Sequence, residues 1–385
     1  MTNNIAFSKN VNRQYDSSFA NSGITVSGKA GPSLRVRKPN RYTVTSGAAL
    51  NVQDNTETYV TVSCSTQQHI GMKFTSQDLT LTIDDFAGRY LKPAGIALAN
   101  KMDLDGMALY NTVWNNVGTP GVTPASALVF LNAGAKLDNN AAPRDNERAV
   151  VIDPNAQAST VNALTGLFQK SELIAEQYEA GQMGTGLGFN FSMSQNVNSH
   201  TVGSRNNAND ATVASYTAST ISLTAADPSG AIYRAGDTFS ISGITSVNPV
   251  SHVSTGHIAQ FVVTADTTAS GTTVTLPVAP AVVISGATQT ISGDPTTHLV
   301  DFANDGTAST VYPQNMAFHK DAFTLVTADM VLPDGVDFRA REVYDGISVR
   351  VVRQYNINGD ELPARCDILY GWKELYPEWA CRIPG

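Results

Sequence analysis

Alternation of apolar and polar residues marks two candidate strands near the start of the chain. Arg41-Tyr-Thr-Val-Thr and Tyr59-Val-Thr-Val-Ser alternate with a period of two, which is typical of a half-buried strand. Between them, Ser46-Gly-Ala-Ala and Asp54-Asn-Thr-Glu supply turn residues. The first 30 residues are polar and rich in asparagine and serine, so we predict an arm there.

Two stretches have the residue spacing of amphipathic helices. The first covers residues 93–116, has a proline in its first turn and ends before Gly118. Its apolar positions recur at steps of four, seven and four and form one stripe: Leu98, Met102, Leu109 and Val113. The second covers residues 159–180, where Ser159 or Thr160 supplies a side chain that can cap the helix.

The remaining pattern is rich in strands. Ala149-Val-Val-Ile predicts a short buried strand, and residues 213–300 form short alternating runs between Gly and Pro turns. Near the end of the chain, Ile347-Ser-Val-Arg-Val-Val and Ala364-Arg-Cys-Asp-Ile-Leu flank Asn358-Gly, a strong hairpin signal. Helices and strands that are mixed in this order predict the α+β class.

Charge is scarce and unevenly distributed. Only 15% of the 385 residues are charged, against about 25% in a typical soluble chain. Residues 1–50 carry seven basic side chains and one acidic one, a net charge of +6, whereas the whole chain has a net charge of −8. Residues 211–310 hold one arginine, six aspartates and no glutamate, and they are rich in threonine. This shift in composition predicts a separately folded β-rich insert.

Composition also excludes several classes of protein. A net charge of −8 argues against a dedicated nucleic-acid-binding protein. No apolar run approaches the roughly 18 residues of a membrane-spanning helix, and the start lacks the pattern of a secretory signal. Three scattered cysteines are too few for a disulfide framework or a zinc cage, so we expect a reducing cytoplasm.

Four sequence patterns come close to known sites but do not match them. Gly23-Ile-Thr-Val-Ser-Gly-Lys-Ala lacks the final hydroxyl of a phosphate-binding loop, and Asp103-Leu-Asp-Gly lacks the outer carboxylates of a calcium loop. Gly184-Thr-Gly-Leu-Gly has the wrong spacing for a dinucleotide-binding turn. His252 and His257 have no Cys or Glu nearby in sequence. We therefore predict no catalytic residue, no cofactor and no metal site.

The chain contains one cluster of basic residues: Lys29, Arg35, Arg37, Lys38 and Arg41. Three interpretations are open, namely a solvated strand face, a nucleic-acid contact, or a basic edge that docks on the acidic bulk of a neighbouring copy. Aromatic residues that would stack on bases are sparse, which disfavours nucleic acid. A basic arm beside an acidic body favours head-to-tail self-association, and Arg35, Arg37, Lys38 and Arg41 are our candidates for contacts between subunits.

The order of segments resembles the major capsid (coat) proteins of tailed phages, in the podovirus branch that carries an insertion domain. The similar stretches follow in the family's order: Val11-Asn-Arg-Gln-Tyr-Asp, Gly31-Pro-Ser-Leu-Arg-Val-Arg-Lys-Pro-Asn-Arg-Tyr, Arg148-Ala-Val-Val-Ile-Asp-Pro-Asn, Ala235-Gly-Asp-Thr-Phe-Ser-Ile-Ser-Gly, Asn315-Met-Ala-Phe-His-Lys-Asp-Ala-Phe and Tyr344-Asp-Gly-Ile-Ser-Val-Arg-Val. No single stretch is as specific as a metal signature; the ordered set carries the resemblance.

The resemblance implies the Hong Kong ninety-seven (HK97-like) capsid fold with an inserted all-β, barrel-like domain. Its parts map onto this sequence as an N-terminal arm (1–30), an extended β loop (31–70), a peripheral domain (71–148) with a spine helix (about 93–116), the first part of an axial domain (149–210), the insertion domain (211–303), and closing strands of the axial and peripheral domains (304–385). Relatives carry a longer helical arm before the position of Val11, so scaffolding contacts assigned to that arm are not carried over.

The function implied is that of a non-enzymatic shell subunit. Such proteins assemble as hexamers and pentamers into an icosahedral procapsid around scaffolding protein, with a portal at one vertex, in the bacterial cytoplasm. The shell then encloses double-stranded DNA without sequence-specific binding. The strand pair at about residues 30–65 should lie over a neighbour's spine helix. The alternatives are another phage structural protein, such as a tail-tube or surface β protein, and an unrecognised hydrolase.

Overall fold

The structure is a computed structural model, and it describes residues 5–15, 33–53, 57–75, 87–164, 184–205, 211–224, 230–302 and 307–385. The chain forms two compact units. The first unit comprises Met1–Lys38, Tyr59–Gly106 and Phe323–Leu375, and the second comprises Pro39–Thr58, Met107–Ala322 and Tyr376–Gly385. Within the described residues, no helix is both long enough and apolar enough to cross a bilayer.

Helices and strands are numbered in chain order. The α-helices are α1 (Ala6–Lys9), α2 (Lys92–Met107), α3 (Ala127–Asn139) and α4 (Pro154–Leu164). The strands are β1 (Asn12–Tyr15), β2 (Ser33–Arg37), β3 (Tyr59–Ser63), β4 (Thr66–Thr75), β5 (Arg148–Ile152), β6 (Thr185–Gly186), β7 (Phe189–Met193), β8 (Ser199–Thr201), β9 (Thr212–Tyr216), β10 (Thr220–Thr224), β11 (Ile232–Tyr233), β12 (Thr238–Val247), β13 (Ser254–Val263), β14 (Thr267–Thr268), β15 (Thr273–Ala279), β16 (Ile291–Ser292), β17 (Val300–Asp301), β18 (Val311–His319), β19 (Phe323–Thr327), β20 (Phe338–Tyr344), β21 (Ile347–Arg353), β22 (Glu361–Glu374) and β23 (Ala380–Pro384).

The first unit is built on a sheet with the order β1–β19–β22–β21–β20, and β4 also pairs with β22. The predicted hairpin is confirmed, since Val351 of β21 lies opposite Cys366 of β22 in an antiparallel register. Helix α2 packs close to this sheet at Gly106, where an added Cβ would lie 2.5 Å from the Trp372 ring. The Trp372 indole N–H donates to the Met102 carbonyl at 3.1 Å, so a glycine is needed for this close approach.

The second unit contains two larger sheets. One has the order β23–β18–β5–β7–β6, and helix α3 packs on it through the buried residues Phe130, Ala133 and Leu137. The predicted strand at 149–152 is confirmed, and every residue of β5 is buried. The other sheet has the order β16–β12–β13–β15–β10–β9, with β17 also paired to β12. Its apolar core is drawn from residues 211–302, so the predicted strands of this segment are confirmed.

The two predicted helices differ from the observed ones. The first was expected over 93–116, but the α-helix ends at Met107, continues as a 3₁₀ turn over Ala108–Thr112 and becomes extended at Val113. Asparagine, threonine and β-branched valine hold a helix weakly, and this explains the early end. Leu98 and Met102 are buried as the stripe predicts.

The second helix begins earlier than predicted. It starts at Pro154 instead of 159, because the Asp153 carboxylate accepts from the main-chain N–H groups of Asn155 at 3.2 Å and Ala156 at 3.3 Å. Asp153 is therefore the cap, and the expected cap Thr160 lies inside the helix, where its hydroxyl donates to the Ala156 carbonyl at 2.6 Å. The part of the prediction over 165–180 lies outside the described residues.

Three further elements differ from the sequence predictions: a strand, the N-terminal arm and a helix. The predicted strand at 41–45 was wrong; the strand that pairs with β3 is β2, eight residues earlier. Residues 5–15 of the predicted arm are packed into the first unit, with Phe7 fully buried and β1 parallel to β19. Helix α3 was not predicted, because Gly134 and the asparagines in it weaken its helical pattern; Ser126 caps it through a hydrogen bond from the Leu128 N–H.

Candidate assembly surface

Two of the predicted contact residues share one exposed strand face. Arg35 and Arg37 are both exposed on β2, whereas Leu34 and Val36 between them are half-buried, as the period of two in a strand requires. The Arg35 guanidinium lies 4.9 Å from the centre of the Tyr59 ring, which holds it by a cation–π contact. The first unit therefore presents a pair of guanidinium groups on one side of a two-stranded ribbon.

The other two predicted contact residues lie beyond this strand. Lys38 is half-buried and directly follows β2. Arg41 belongs to the second unit, and its guanidinium forms an ion pair with Glu378 of the same chain at 3.0 Å. The Glu378 side chain is only 14% exposed, so Arg41 has a well-placed partner without any neighbouring subunit. Arg35, Arg37 and Lys38 thus belong to the first unit and Arg41 to the second, and a contact of these four residues with a neighbouring subunit stays a prediction.

A loop of exposed apolar side chains follows Arg41, and sequence reasoning missed it. Val44 is 98% exposed and Leu50 is 89% exposed, with Tyr42 and Val52 also largely exposed. The loop is closed by the Gln53 amide, which accepts from the Thr43 N–H at 2.9 Å and donates to the Thr43 carbonyl. Large apolar side chains held in water at a loop tip are typical of a binding surface. We name residues 42–52 the apolar loop.

The first unit has an apolar surface of its own, on the hairpin of β20 and β21. All seven residues of β20 are exposed, and this strand lies at the edge of its sheet. One face of the hairpin forms an open groove of about 550 Å³. The groove is lined by Leu91, Phe338, Ala340, Glu342, Tyr344, Ile347, Val349 and Val351. An exposed edge strand with an apolar face favours pairing with another chain.

The carboxylates of the calcium-like pattern have structural partners. The Asp103 carboxylate is buried and accepts hydrogen bonds from Ser8, while Asp105 accepts from the Tyr370 hydroxyl at 2.6 Å and pairs with Lys101 at 2.5 Å. Burial and the Asp105 carboxylate together raise the pKa of Tyr370. The Ser8 bonds thus hold α2 to α1, and the Tyr370 bond holds it to strand β22 of the sheet.

The other three sequence patterns that resemble known sites lie in turns, on a strand or outside the described residues. Gly184–Gly188 leads into the tight turn between β6 and β7, where Leu187 and Gly188 adopt positive φ. The phosphate-loop-like Gly23–Ala30 lies outside the described residues. His252 lies in the turn between β12 and β13, and His257 lies on β13.

One group of possible metal ligands was not seen in the sequence. Asp145, Glu147 and His319 bring ligand atoms within 4.8 Å of one another. The imidazole of His319 is 3.1 Å from Asp145, and the Lys320 ammonium lies 2.7 Å from Glu147. The His319 Nδ1 accepts from the Asp321 N–H at 3.2 Å. The Lys320–Glu147 ion pair and the hydrogen bond between His319 and Asp145 join the end of β18 to the segment before β5.

Sequence comparison decides what kind of protein carries these surfaces. The family model described as "P22 coat protein - gene protein 5" matches residues 56–385, which is most of the chain. The chain belongs to the P22 coat protein family. It is thus a major capsid protein of the tailed-phage class, with the α+β phage capsid fold that the resemblance implied. A comparison with curated protein sequences gives no match.

Solved structures with a similar course of the chain come from other phages. The structure "Mycobacterium phage Che8" is 13% identical, with a TM-score of 0.49, and the match covers 97% of this coat protein and 89% of that chain. "Capsid structure of the Cyanophage P-SCSP1u" is 12% identical, with a TM-score of 0.44 and coverage of 97% and 86%. "Asymmetric unit of bacteriophage PhiM1 mature capsid" is 11% identical, with a TM-score of 0.44 and coverage of 100% and 87%. The assignment to the family rests on the sequence match.

Family membership also settles the coarse role of the protein. A coat protein is a structural component of the virion capsid, and it associates with copies of itself to form the shell. The tail-tube and hydrolase alternatives find no support in this match.

Proposed function

We propose that this coat protein assembles as hexamers and pentamers into an icosahedral shell, and that the apolar loop docks on a neighbouring copy. The observation that carries the proposal is the exposure of Val44, Leu50 and Val52 in a chain whose family builds shells. Burying one such side chain against a neighbour contributes about 1.5–3 kcal/mol, so a few residues repeated in every subunit suffice to hold a shell together.

The proposal includes the segments and partners that the resemblance implied. Its functional divisions are the arm (1–30), the extended loop (31–70), the peripheral domain (71–148), the first part of the axial domain (149–210), the insertion domain (211–303) and the closing strands of the axial and peripheral domains (304–385). A procapsid forms on scaffolding protein in the host cytoplasm, a portal occupies one vertex, and the shell encloses double-stranded DNA. The net charge of −14 outside the first 50 residues supports a body that does not grip this DNA. The protein needs no enzymatic activity or cofactor for this role.

The test replaces apolar loop residues and examines assembly by negative-stain electron microscopy, with and without scaffolding protein. Val44→Asp with Leu50→Asp should leave a folded, soluble subunit that forms no shells, because each change puts a charge where the neighbour excludes water. Thr45→Asp with Ser46→Asp adds the same two charges at exposed polar positions of the same loop and should form shells as the wild type does. Normal shells from the double variant would contradict the proposed docking.

A second experiment tests the basic strand face. Arg35→Glu with Arg37→Glu should block assembly if these guanidinium groups meet carboxylates of a neighbour, whereas Arg35→Lys with Arg37→Lys should retain it. Each exposed pair contributes only about 0.2–1 kcal/mol, but every interface of the shell repeats it. Arg41 is left unchanged, since Arg41→Glu would also face Glu378 in its own chain.

A further inference from the structure

Within the second unit, two apolar cores meet along a polar boundary. We call residues 211–302 the insert and the other described residues of that unit the body. The insert has its own cluster of buried apolar residues, and the body has another around Phe130, Val150 and Ile383. Buried polar groups join the two. We call these contacts the seam.

Asp237 of the insert is at the centre of the seam and is fully buried. Its carboxylate accepts from the His200 Nε2 at 2.9 Å and from the Arg205 guanidinium at 3.0 Å, and both donors belong to the body and are buried. The Gly203 N–H of the body lies 3.3 Å from each carboxylate oxygen. The Arg234 N–H, from the insert itself, donates at 2.9 Å. One side chain thus binds three body residues.

The backbones approach each other closely at this point. A Cβ at Gly203 would lie 2.2 Å from the Ile232 carbonyl oxygen and 2.7 Å from the Asp237 carboxylate. Gly236 has a φ of +101°, and a Cβ there would lie 3.0 Å from the His200 ring. Its carbonyl accepts from the buried Arg382 guanidinium of the body at 2.7 Å. Only glycine fits these two positions without strain.

A second set of hydrogen bonds lies near the first. The Gln260 side chain of β13 accepts from the Asn116 N–H and donates to the Asn116 carbonyl, both at 3.0 Å. The Asn116 side chain in turn donates to the Thr238 hydroxyl at 3.1 Å. The seam therefore has two anchors, and in each the direction of the donors and acceptors is defined.

We infer that Asp237 is a positioning residue that clamps the insert to the body in one orientation, and that shell assembly requires this orientation. The physical reason is directionality. Apolar surfaces tolerate sliding, whereas a buried carboxylate that is shifted away from its donors leaves unpaired polar groups at a high cost in free energy. The second half of the inference rests on the proposed function, because it uses the shell as its readout.

The experiment compares Asp237→Asn with the wild type by hydrogen exchange on the unassembled subunit. The asparagine side chain would point its NH2 group, a donor, at Arg205 or His200, which are donors themselves. The contacts between the insert and the body should therefore break more often. The Gly203 and Asn116 N–H groups should then exchange roughly 10- to 100-fold faster, as expected for losing a hydrogen bond to a charged group. Amides of Phe239 and Phe261, in the paired strands β12 and β13, should keep their protection because the insert itself stays folded.

A matched control and an assembly readout complete the test. Asp266→Asn makes the same change at an exposed site of the insert. The Asp266 carboxylate accepts a hydrogen bond from the Ala235 N–H at 2.8 Å, and both residues belong to the insert. This substitution should alter neither exchange at the seam nor the shells. Asp237→Asn should give irregular or open shells by electron microscopy, although its subunit is folded.

The outcomes separate this inference from the proposed function. Unchanged exchange at Gly203 in Asp237→Asn would overturn the clamp, and uniform shells from a variant with a loosened seam would overturn the requirement for orientation. A wild type that forms no shells would overturn the proposed function, while the exchange data would still decide the clamp. Should Asp237→Asn be insoluble, His200→Ala decides in the same way, since it removes one body donor to the Asp237 carboxylate while the ion pair with Arg205 remains.

Discussion

The carboxylate of Asp103 accepts two hydrogen bonds from Ser8, one from its main-chain N–H at 2.8 Å and one from its hydroxyl at 2.9 Å. Both residues are fully buried, and 95 positions separate them in the sequence. This pair attaches the start of the chain to helix α2 in the first unit. It also explains why an aspartate is buried beside Met102, a residue of the helix's apolar stripe.

Asp103→Ala should strongly destabilise the first unit. Two buried donors of Ser8 would lose their acceptor, at about 1–3 kcal/mol for each. Ser8→Ala removes only the hydroxyl bond and should cost about 1 kcal/mol. Urea unfolding monitored by tryptophan fluorescence measures both changes, since Trp372 lies against the same helix. Equal effects of the two substitutions would show that the main-chain bond contributes nothing.

Asp153→Ala should destabilise helix α4 by about 1 kcal/mol, because it removes the acceptor for the first N–H groups of the helix. Asp153→Asn should cost less, since asparagine also caps helices well. Thermal unfolding gives the size of the effect, and hydrogen exchange at the Ala156 amide locates it. Loss of the cap without faster exchange at Ala156 would argue against this role.

Acid should weaken the ion pairs around Asp138. Hydrogen bonds from Arg144 lower the pKa of this carboxyl; burial opposes the shift and Arg148 adds to it, so the pKa lies below its usual value. A depressed folded pKa stabilises the native state above the unfolded pKa of about 3.9, and this contribution is lost as the pH falls through the folded pKa.

Asp138→Asn should therefore be less stable than the wild type at pH 6, and the difference should shrink below about pH 4, where the wild-type carboxylate becomes protonated. Urea unfolding at several pH values measures the difference. A difference that stays constant from pH 6 to pH 2.5 would contradict the assigned pKa direction.

Two thiols should be unreactive in the folded subunit. Burial raises the pKa of Cys381 to about 12 and that of Cys366 to about 11, so almost no thiolate forms at pH 8. Iodoacetamide followed by mass spectrometry should find both unmodified in buffer and both alkylated in urea. Alkylation of Cys381 in buffer at the rate of a free cysteine would show that this strand opens readily.

Local chemistry made several elements predictable. Asn358-Gly359 between alternating runs predicts a hairpin that does not depend on the rest of the chain, and the pairing of β21 with β22 confirms it. An unbroken apolar run predicts the buried strand β5. Helix boundaries were less predictable. The apolar spacing of residues 93–116 continues past Ala108, although the α-helix changes to a 3₁₀ turn there. Ser159 and Thr160 are as suitable for a helix cap by residue type as Asp153, which is the observed cap.

By itself, the sequence determined the α+β class, the strands of residues 211–302 and the hairpin, because periodicity and turn residues act within a few positions of one another. The coat-protein resemblance rested on the order of similar stretches along the chain. Only the tertiary structure decided what the polar residues do. Asp237 is hydrogen-bonded to His200 and Arg205, which lie 37 and 32 positions away in the sequence. Asn116 and Gln260 are 144 positions apart, and Arg41 and Glu378 are 337 positions apart. Hydrogen bonds depend on distances of about 3 Å, and no local pattern encodes such distances between remote segments.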